Sequence, residues 1–113
     1  MKPSPKYAAC VLLYHLEDRA VWEYEIFEAL ERVYPPGQLN SLREDLVGLS
    51  TLGWISTAEQ KEYRGRILRS YALNANVRPV LEYQLRLASF DDIMRQAGIP
   101  IRGTGVGTAE VAA

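Results

Sequence analysis

The chain has 113 residues, with 13 basic and 14 acidic side chains, a formal charge of −1 and a pI near 5.8. That length fits one domain, and 48% hydrophobic against 24% charged residues supplies enough apolar material for a buried core. The near-neutral balance argues against strong nonspecific binding to nucleic acid. No apolar run approaches the roughly 18 residues of a membrane span. The start, Met1-Lys2-Pro3-Ser4-Pro5-Lys6, leads into no secretory leader, so the expected location is the cytoplasm and no membrane partner is expected. Cys10 is the single cysteine, which excludes an internal disulfide and a thiolate metal cluster. It reads as a buried, inert thiol.

Ser4-Pro5 resembles a capped helix start, followed by a first helix over 5–17 that is apolar on every side and therefore central. A short link, with room for a one-bridge strand, leads to a second helix over 22–33. There Trp22, Ile26, Ala29, Leu30 and Val33 recur at helical spacing, while Glu23, Glu25, Glu28 and Glu31 fill the face expected to meet water. Tyr34-Pro35-Pro36-Gly37 ends it. Leu39, Leu42, Leu46, Leu49 and Leu52 form the stripe of a third helix over 40–52, with Ser41 and Glu44 spaced as a capping box, Asn40 as the competing cap, and Gly53 as its stop. Two β-prone runs, 54–59 and 66–73, flank a polar loop at 60–65 and predict a hairpin. Asn74 or Asn76 can cap a fourth helix to about residue 88, with Pro79 in its first turn. Ser89 and Asp92 are spaced to open a fifth over 90–97, closed by Gly98. Residues 98–113 are rich in Gly and Thr and read as a flexible tail.

Charge is unevenly spread. Residues 1–34 hold four basic and six acidic side chains, whereas residues 61–78 hold five cations and one carboxylate, a local +4. The positive charge therefore sits on and just after the expected hairpin.

The order helix, helix, helix, hairpin, together with Leu42-x3-Leu46-x2-Leu49-x3-Gly53-Trp54-Ile55, resembles winged helix-turn-helix transcription factors. The run Gly65-Arg66-Ile67-Leu68-Arg69-Ser70-Tyr71-Ala72-Leu73-Asn74 resembles the second wing strand of the PadR-like group, and Tyr24-Glu25-Ile26 its second helix. Glu23 stands where that group has glycine, and Asn74 where threonine is usual. The resemblance covers residues 7–85. It implies an α+β fold, mainly α: a winged helix-turn-helix with a two-stranded hairpin wing and additional C-terminal helices, in one domain spanning 1–97.

The function that follows is a transcriptional regulator, expected to be a dimeric repressor. Helix 40–52 would read the major groove and wing 54–73 the backbone or minor groove of double-stranded DNA. With the leucines turned inward, Asn40, Ser41, Arg43, Glu44 and Val47 face outward; Arg43 suits guanine and Asn40 adenine or a phosphate. Glu44 and Asp45 oppose this reading, because a carboxylate near the groove repels phosphate unless it accepts from cytosine. On the hairpin Lys61, Tyr63, Arg64, Arg66 and Arg69 are the expected DNA contacts, supplying affinity and salt dependence rather than sequence choice.

Terminal helices mediate dimerisation in the resembled family, which assigns Val80, Leu81, Leu85, Leu87, Phe90, Ile93 and Met94, within 76–97, to a homodimer interface. The alternative is that they cap the chain's own core. His15 is the single histidine and has no second ligand or nucleophile at a useful spacing, so neither catalysis, metal nor cofactor is expected. Gly103-x-Gly105-x-Gly107 neither follows a strand nor opens a helix, and is not a phosphate cradle. Trp22, Tyr24, Trp54 and Tyr83 leave room for an unidentified small aromatic effector at a dimer seam, although such residues more often serve the core. A second function class stays open: a winged-helix protein-interaction module without specific DNA binding.

Overall fold

The computed structural model describes residues 2–16 and 19–101. Most of the glycine-rich tail, including Gly103, Gly105 and Gly107, lies outside the described residues, as does the expected end of the first helix at Glu17. Among the described residues the architecture is α+β and mainly helical, with five α-helices and one three-stranded antiparallel sheet.

Helix α1, Pro5–His15, starts where Ser4 Oγ accepts the Lys6 N–H at 3.2 Å and Pro5 occupies the first turn. Every residue from 8 to 15 is buried, so α1 is the axis around which the other elements pack. Burial also settles the chemistry of Cys10, whose thiol is pushed up to about 12 by desolvation. As a neutral thiol in a dry core it is a packing group rather than a nucleophile.

Strand β1, Val21–Trp22, leads directly into α2, Glu23–Leu30. Trp22 is thus the cap of the second helix rather than its first turn, and Glu25 Oε1 accepts the Trp22 N–H at 2.9 Å. The helix ends three residues earlier than its periodicity suggests. The N–H groups of Val33 and Tyr34 both turn back onto the Leu30 carbonyl, and Pro35 disfavours helical geometry at the residue before it. Ile26, Ala29, Leu30 and Val33 are buried as expected.

A 3-10 turn over Pro36–Leu39 feeds α3, Leu42–Thr51. Leu39, Leu42, Leu46 and Leu49 are buried. Leu52 is not part of the stripe: it is 73% exposed, because the helix stops at Thr51 and Gly53, at φ 84°, redirects the chain. Trp54 packs against the core beyond it. Ser41 is the N-terminal cap residue, but its hydroxyl makes no capping bond, so the expected capping box is not formed.

The hairpin is longer than its sequence pattern suggests. Strand β2, Ile55–Tyr63, and strand β3, Arg66–Leu73, are joined by only Arg64-Gly65. Both turn residues have positive φ, 53° and 78°, as a two-residue type I′ turn demands. The polar run at 60–63, expected as loop, therefore continues the ladder up to the pair Tyr63↔Arg66. A register shift at Thr57/Glu59 interrupts it, where the Glu59 N–H donates to Ser70 Oγ at 3.0 Å. The sheet order is β1-β3-β2, with Val21 opposite Tyr71 and Trp22 opposite Ser70. Ile55, Tyr71 and Leu73 enter the core, while every residue of β2 past Ile55 is exposed. Asn74 closes the hairpin base: its amide donates to the Gly53 carbonyl, its Oδ1 accepts from the Ser56 hydroxyl, and its N–H donates to the Trp54 carbonyl at 3.0 Å.

The expected single helix reaching residue 88 is two pieces. A 3-10 turn, Ala75–Val77, runs into α4, Arg78–Gln84. The chain becomes extended at Leu85, at φ −102° and ψ 139°, before a 3-10 turn, Leu87–Phe90, and α5, Asp91–Ala97. This break folds the C-terminal elements back onto α1. Leu81, Phe90, Ile93 and Met94 are consequently buried in the chain's own core, and Val80, Leu85 and Leu87 are half-buried against it. Four of the seven residues assigned to a dimer interface are thus buried within the chain itself. Arg32 fixes the far end by donating to the Ala97 carbonyl at 2.9 Å.

Candidate nucleic-acid interface

Two elements carry the residues expected to meet DNA, α3 and the β2–β3 hairpin. On α3 and the turn before it, Asn40, Ser41, Glu44 and Val47 are exposed, and Asp45 is half-buried. Arg43 is different. Its Nε donates to Glu23 Oε2 at 2.6 Å, across from the first turn of α2. The Glu23 side chain is 3% exposed, against 47% for Arg43.

The carboxylate expected on a solvated helix face is therefore the buried member of an ion pair. The residue expected to read guanine is its counter-ion. The physical reason is helical phase: Glu23 lies three residues before Ile26 and seven before Leu30, on the face that α2 buries. An ionised carboxylate there needs a partner, and breaking such a pair from one side costs about 3 kcal/mol. Only the Oε2 oxygen is served; Oε1 is buried and has no hydrogen-bond donor among the described residues. An unsatisfied buried acceptor costs about 1–3 kcal/mol. The same charge bears on Tyr71. Burial, and then the nearby Glu23 carboxylate, hold its hydroxyl above the usual range, while Arg69 and Arg43 pull it back down.

The hairpin cations do not form one patch. Antiparallel partners share a face, so Lys61 and Tyr63 on β2 stand beside Leu68 and Arg66 on β3, whereas Gln60 and Glu62 stand beside Arg69 and Ile67. The first of these faces turns toward α2. There Lys61 Nζ sits 5.0 Å from the Trp22 ring, and Trp22 is stacked on Tyr24, with centroids 6.3 Å apart and planes 12° off parallel. On the other face Arg69 Nε donates to Gln60 Oε1 at 3.2 Å. Arg64 occupies the tip, with its guanidinium 5.2 Å from the Tyr63 ring. Arg78, the fifth cation of the basic run, belongs to α4 and lies 5.6 Å from the Tyr14 ring, away from the hairpin. What projects is a tip of Tyr63, Arg64 and Arg66, all exposed, with Lys61 behind it.

Between the hairpin and α2 lies an open pocket of about 550 Å³. Glu23, Glu28 and Glu31 give it an acidic side, Arg43 and Arg66 supply cations, and Tyr24, Phe27 and Leu68 the apolar surface. A second pocket of about 380 Å³ shares Tyr24 and Leu68 with it and is completed by Lys61 and Tyr63. Sequence reasoning missed this cleft. Of the aromatics weighed there for an effector site, Trp22 and Tyr24 do stack together. Trp54 packs against the core instead, and Tyr83 is 91% exposed.

No helix among the described residues is long and apolar enough to cross a membrane. Comparison of the chain with models of protein families, with curated proteins and with solved structures finds no match.

Proposed function

We propose that the protein is a DNA-binding regulator of the winged helix-turn-helix type, whose hairpin is its principal contact with the duplex. The observation that carries this reading is the exposed tip, where Tyr63, Arg64 and Arg66 stand at the end of a two-stranded projection from the core. Residues 61–69 hold four cations and one carboxylate, a local +3 in a chain of net charge −1. A projecting cationic hairpin suits the phosphate backbone, with a tyrosine hydroxyl available as a further donor.

Helix α3 is the second contact. Val47 on the helix and Asn40 and Ser41 just before it are the available outward groups, and Glu44 limits how closely the helix approaches phosphate. Arg43 contributes by fixing α3 to α2 rather than by reading a base. Such an arrangement binds through the backbone with modest sequence discrimination, and repression by occlusion of a promoter is the regulatory outcome it suits. Pairing of two copies, with recognition helices about 34 Å apart on a palindromic site, would use surface outside the buried residues of α4 and α5.

The reading is tested by a gel-shift titration of the protein on the DNA upstream of its own coding sequence, repeated across a salt series. Binding that weakens steeply with salt, and for which unrelated duplex competes only modestly less well than the upstream DNA itself, supports it. Absence of binding at low salt points instead to a protein-interaction module, for which the acidic α2 face would be the docking surface.

A further inference from the structure

We infer that the outer edge of β2 is an interface on which a second copy of this chain docks its own β2, antiparallel and centred on Gln60. Strand β2 ends the sheet, whose order is β1-β3-β2, and every residue of it past Ile55 is exposed. Such an edge offers unpaired N–H and C=O groups to another strand. The turn decides which groups these are. Across the two-residue turn Arg64-Gly65, Tyr63 and Arg66 form a hydrogen-bonded pair, and such pairs alternate along an antiparallel ladder. Tyr63, Lys61 and Glu59 therefore direct their backbone groups to β3, in keeping with the bond from the Glu59 N–H to Ser70 Oγ. Gln60 and Glu62 direct theirs outward.

Charge then selects the occupant and the register. Two identical strands joined antiparallel are related by a two-fold axis, which passes through a residue that pairs with its own copy. With the axis at Gln60, the outward backbone groups of the two glutamines meet. Glu59 then stands opposite Lys61 of the second copy, and Lys61 opposite its Glu59. These positions are non-hydrogen-bonded pairs, the closer kind, with Cα atoms about 4.5 Å apart and side chains on one face. An axis at Glu59, Lys61 or Glu62 instead sets like charges opposite each other, which is destabilising. The edge is thus complementary to its own reverse in one register. Lys61 is already held on that face by the Trp22 ring, 5.0 Å from its Nζ, so it has less freedom to lose on pairing. The register shift at Thr57/Glu59 leaves the ladder regular from 59 to 63, a stretch that contains the whole central triplet. So short a ladder, with no apolar centre, makes a weak dimer. It leaves α4 and α5 packed on their own core.

This interface does not rest on the DNA reading, because association is measured on the protein alone. Sedimentation velocity at low salt, from about 10 µM to about 1 mM, is expected to follow a monomer–dimer equilibrium with a Kd of about 100 µM. Glu59→Lys sets a lysine opposite Lys61 of the second copy, and Lys61→Glu sets a glutamate opposite Glu59. Each change is expected to weaken the homodimer about tenfold. Mixed together, the two variants carry opposite charges at both pairs and are expected to form a heterodimer at least as tight as the wild-type dimer. Urea denaturation checks that each is folded. Should Lys61→Glu not fold, Gln60→Pro decides: it deletes an N–H that points away from β3, and is expected to abolish the dimer while the hairpin persists. A wild type that stays monomeric to the top of the range overturns the interface. So does a charge-reversed or proline variant that dimerises like the wild type, or a mixture of folded variants that stays monomeric.

Discussion

Helix α3 and the β2–β3 hairpin both carry residues expected to contact DNA, and the structure uses their charges in opposite ways. The single cation of α3, Arg43, is turned inward onto the buried carboxylate of Glu23, 2.6 Å away. The hairpin carries its cations outward on a ladder that leaves the core after Ile55. A charge near the core is committed to folding, whereas one on a projection is free to bind. An arginine on the expected outward face of a helix is therefore not evidence of recognition until the opposite helix has been checked for a buried acid.

The comparison is tested most severely at Arg43. Arg43→Ala leaves Glu23 buried without its partner, and is expected to lower unfolding free energy by about 2 kcal/mol, less than a fully buried pair because Arg43 is half exposed. Urea denaturation measures the loss, and selection of bound sites from random duplex measures base preference. An unchanged midpoint with relaxed base preference would return Arg43 to the groove.

Asn74 tests whether the hairpin is held as a rigid arm. Asn74→Ala removes the bonds to Gly53 and Ser56 and is expected to cost about 1 kcal/mol. Faster amide exchange should appear at the base of β2 and β3. Uniform exchange across the chain would mean that the clamp is not specific to the hairpin.

At the tip, stability and binding should move in opposite directions. Arg64 holds a φ of 53°, a conformation that asparagine tolerates far better. Arg64→Asn is expected to stabilise the chain by roughly 0.5 kcal/mol and to weaken DNA binding at the same time. A variant that is both more stable and equally tight on DNA would remove Arg64 from the interface. Glu44→Gln is the smallest change: it is expected to leave stability within about 0.5 kcal/mol and to tighten every duplex slightly.

Much of this arrangement is legible in the sequence. Leucine spacing places α3, the Gly53-Trp54-Ile55 exit places the start of the hairpin, and Ser4-Pro5 starts α1. The rest fails for identifiable reasons. Residues 60–63 are polar because both faces of the projecting ladder meet solvent, and polarity there looks like loop. Gly65 signals a turn, but nothing marks Arg64 as its partner with positive φ. The apolar residues of α4 and α5 look like an unpartnered face because the break at Leu85, which folds them onto α1, leaves no proline or glycine behind. Glu23 was readable in principle. It shares a helical face with Ile26 and Leu30, and a carboxylate in that phase is a signal of a buried pair or of a ligand.

The central claim is that the hairpin tip, more than α3, supplies the contact with the phosphate backbone. Its most direct test is the slope of log binding constant against log salt concentration for the wild type and for Arg64→Ala with Arg66→Ala. The account predicts a slope shallower by about 0.9 for each lost contact, with affinity reduced similarly on all duplexes. An unchanged slope would contradict it.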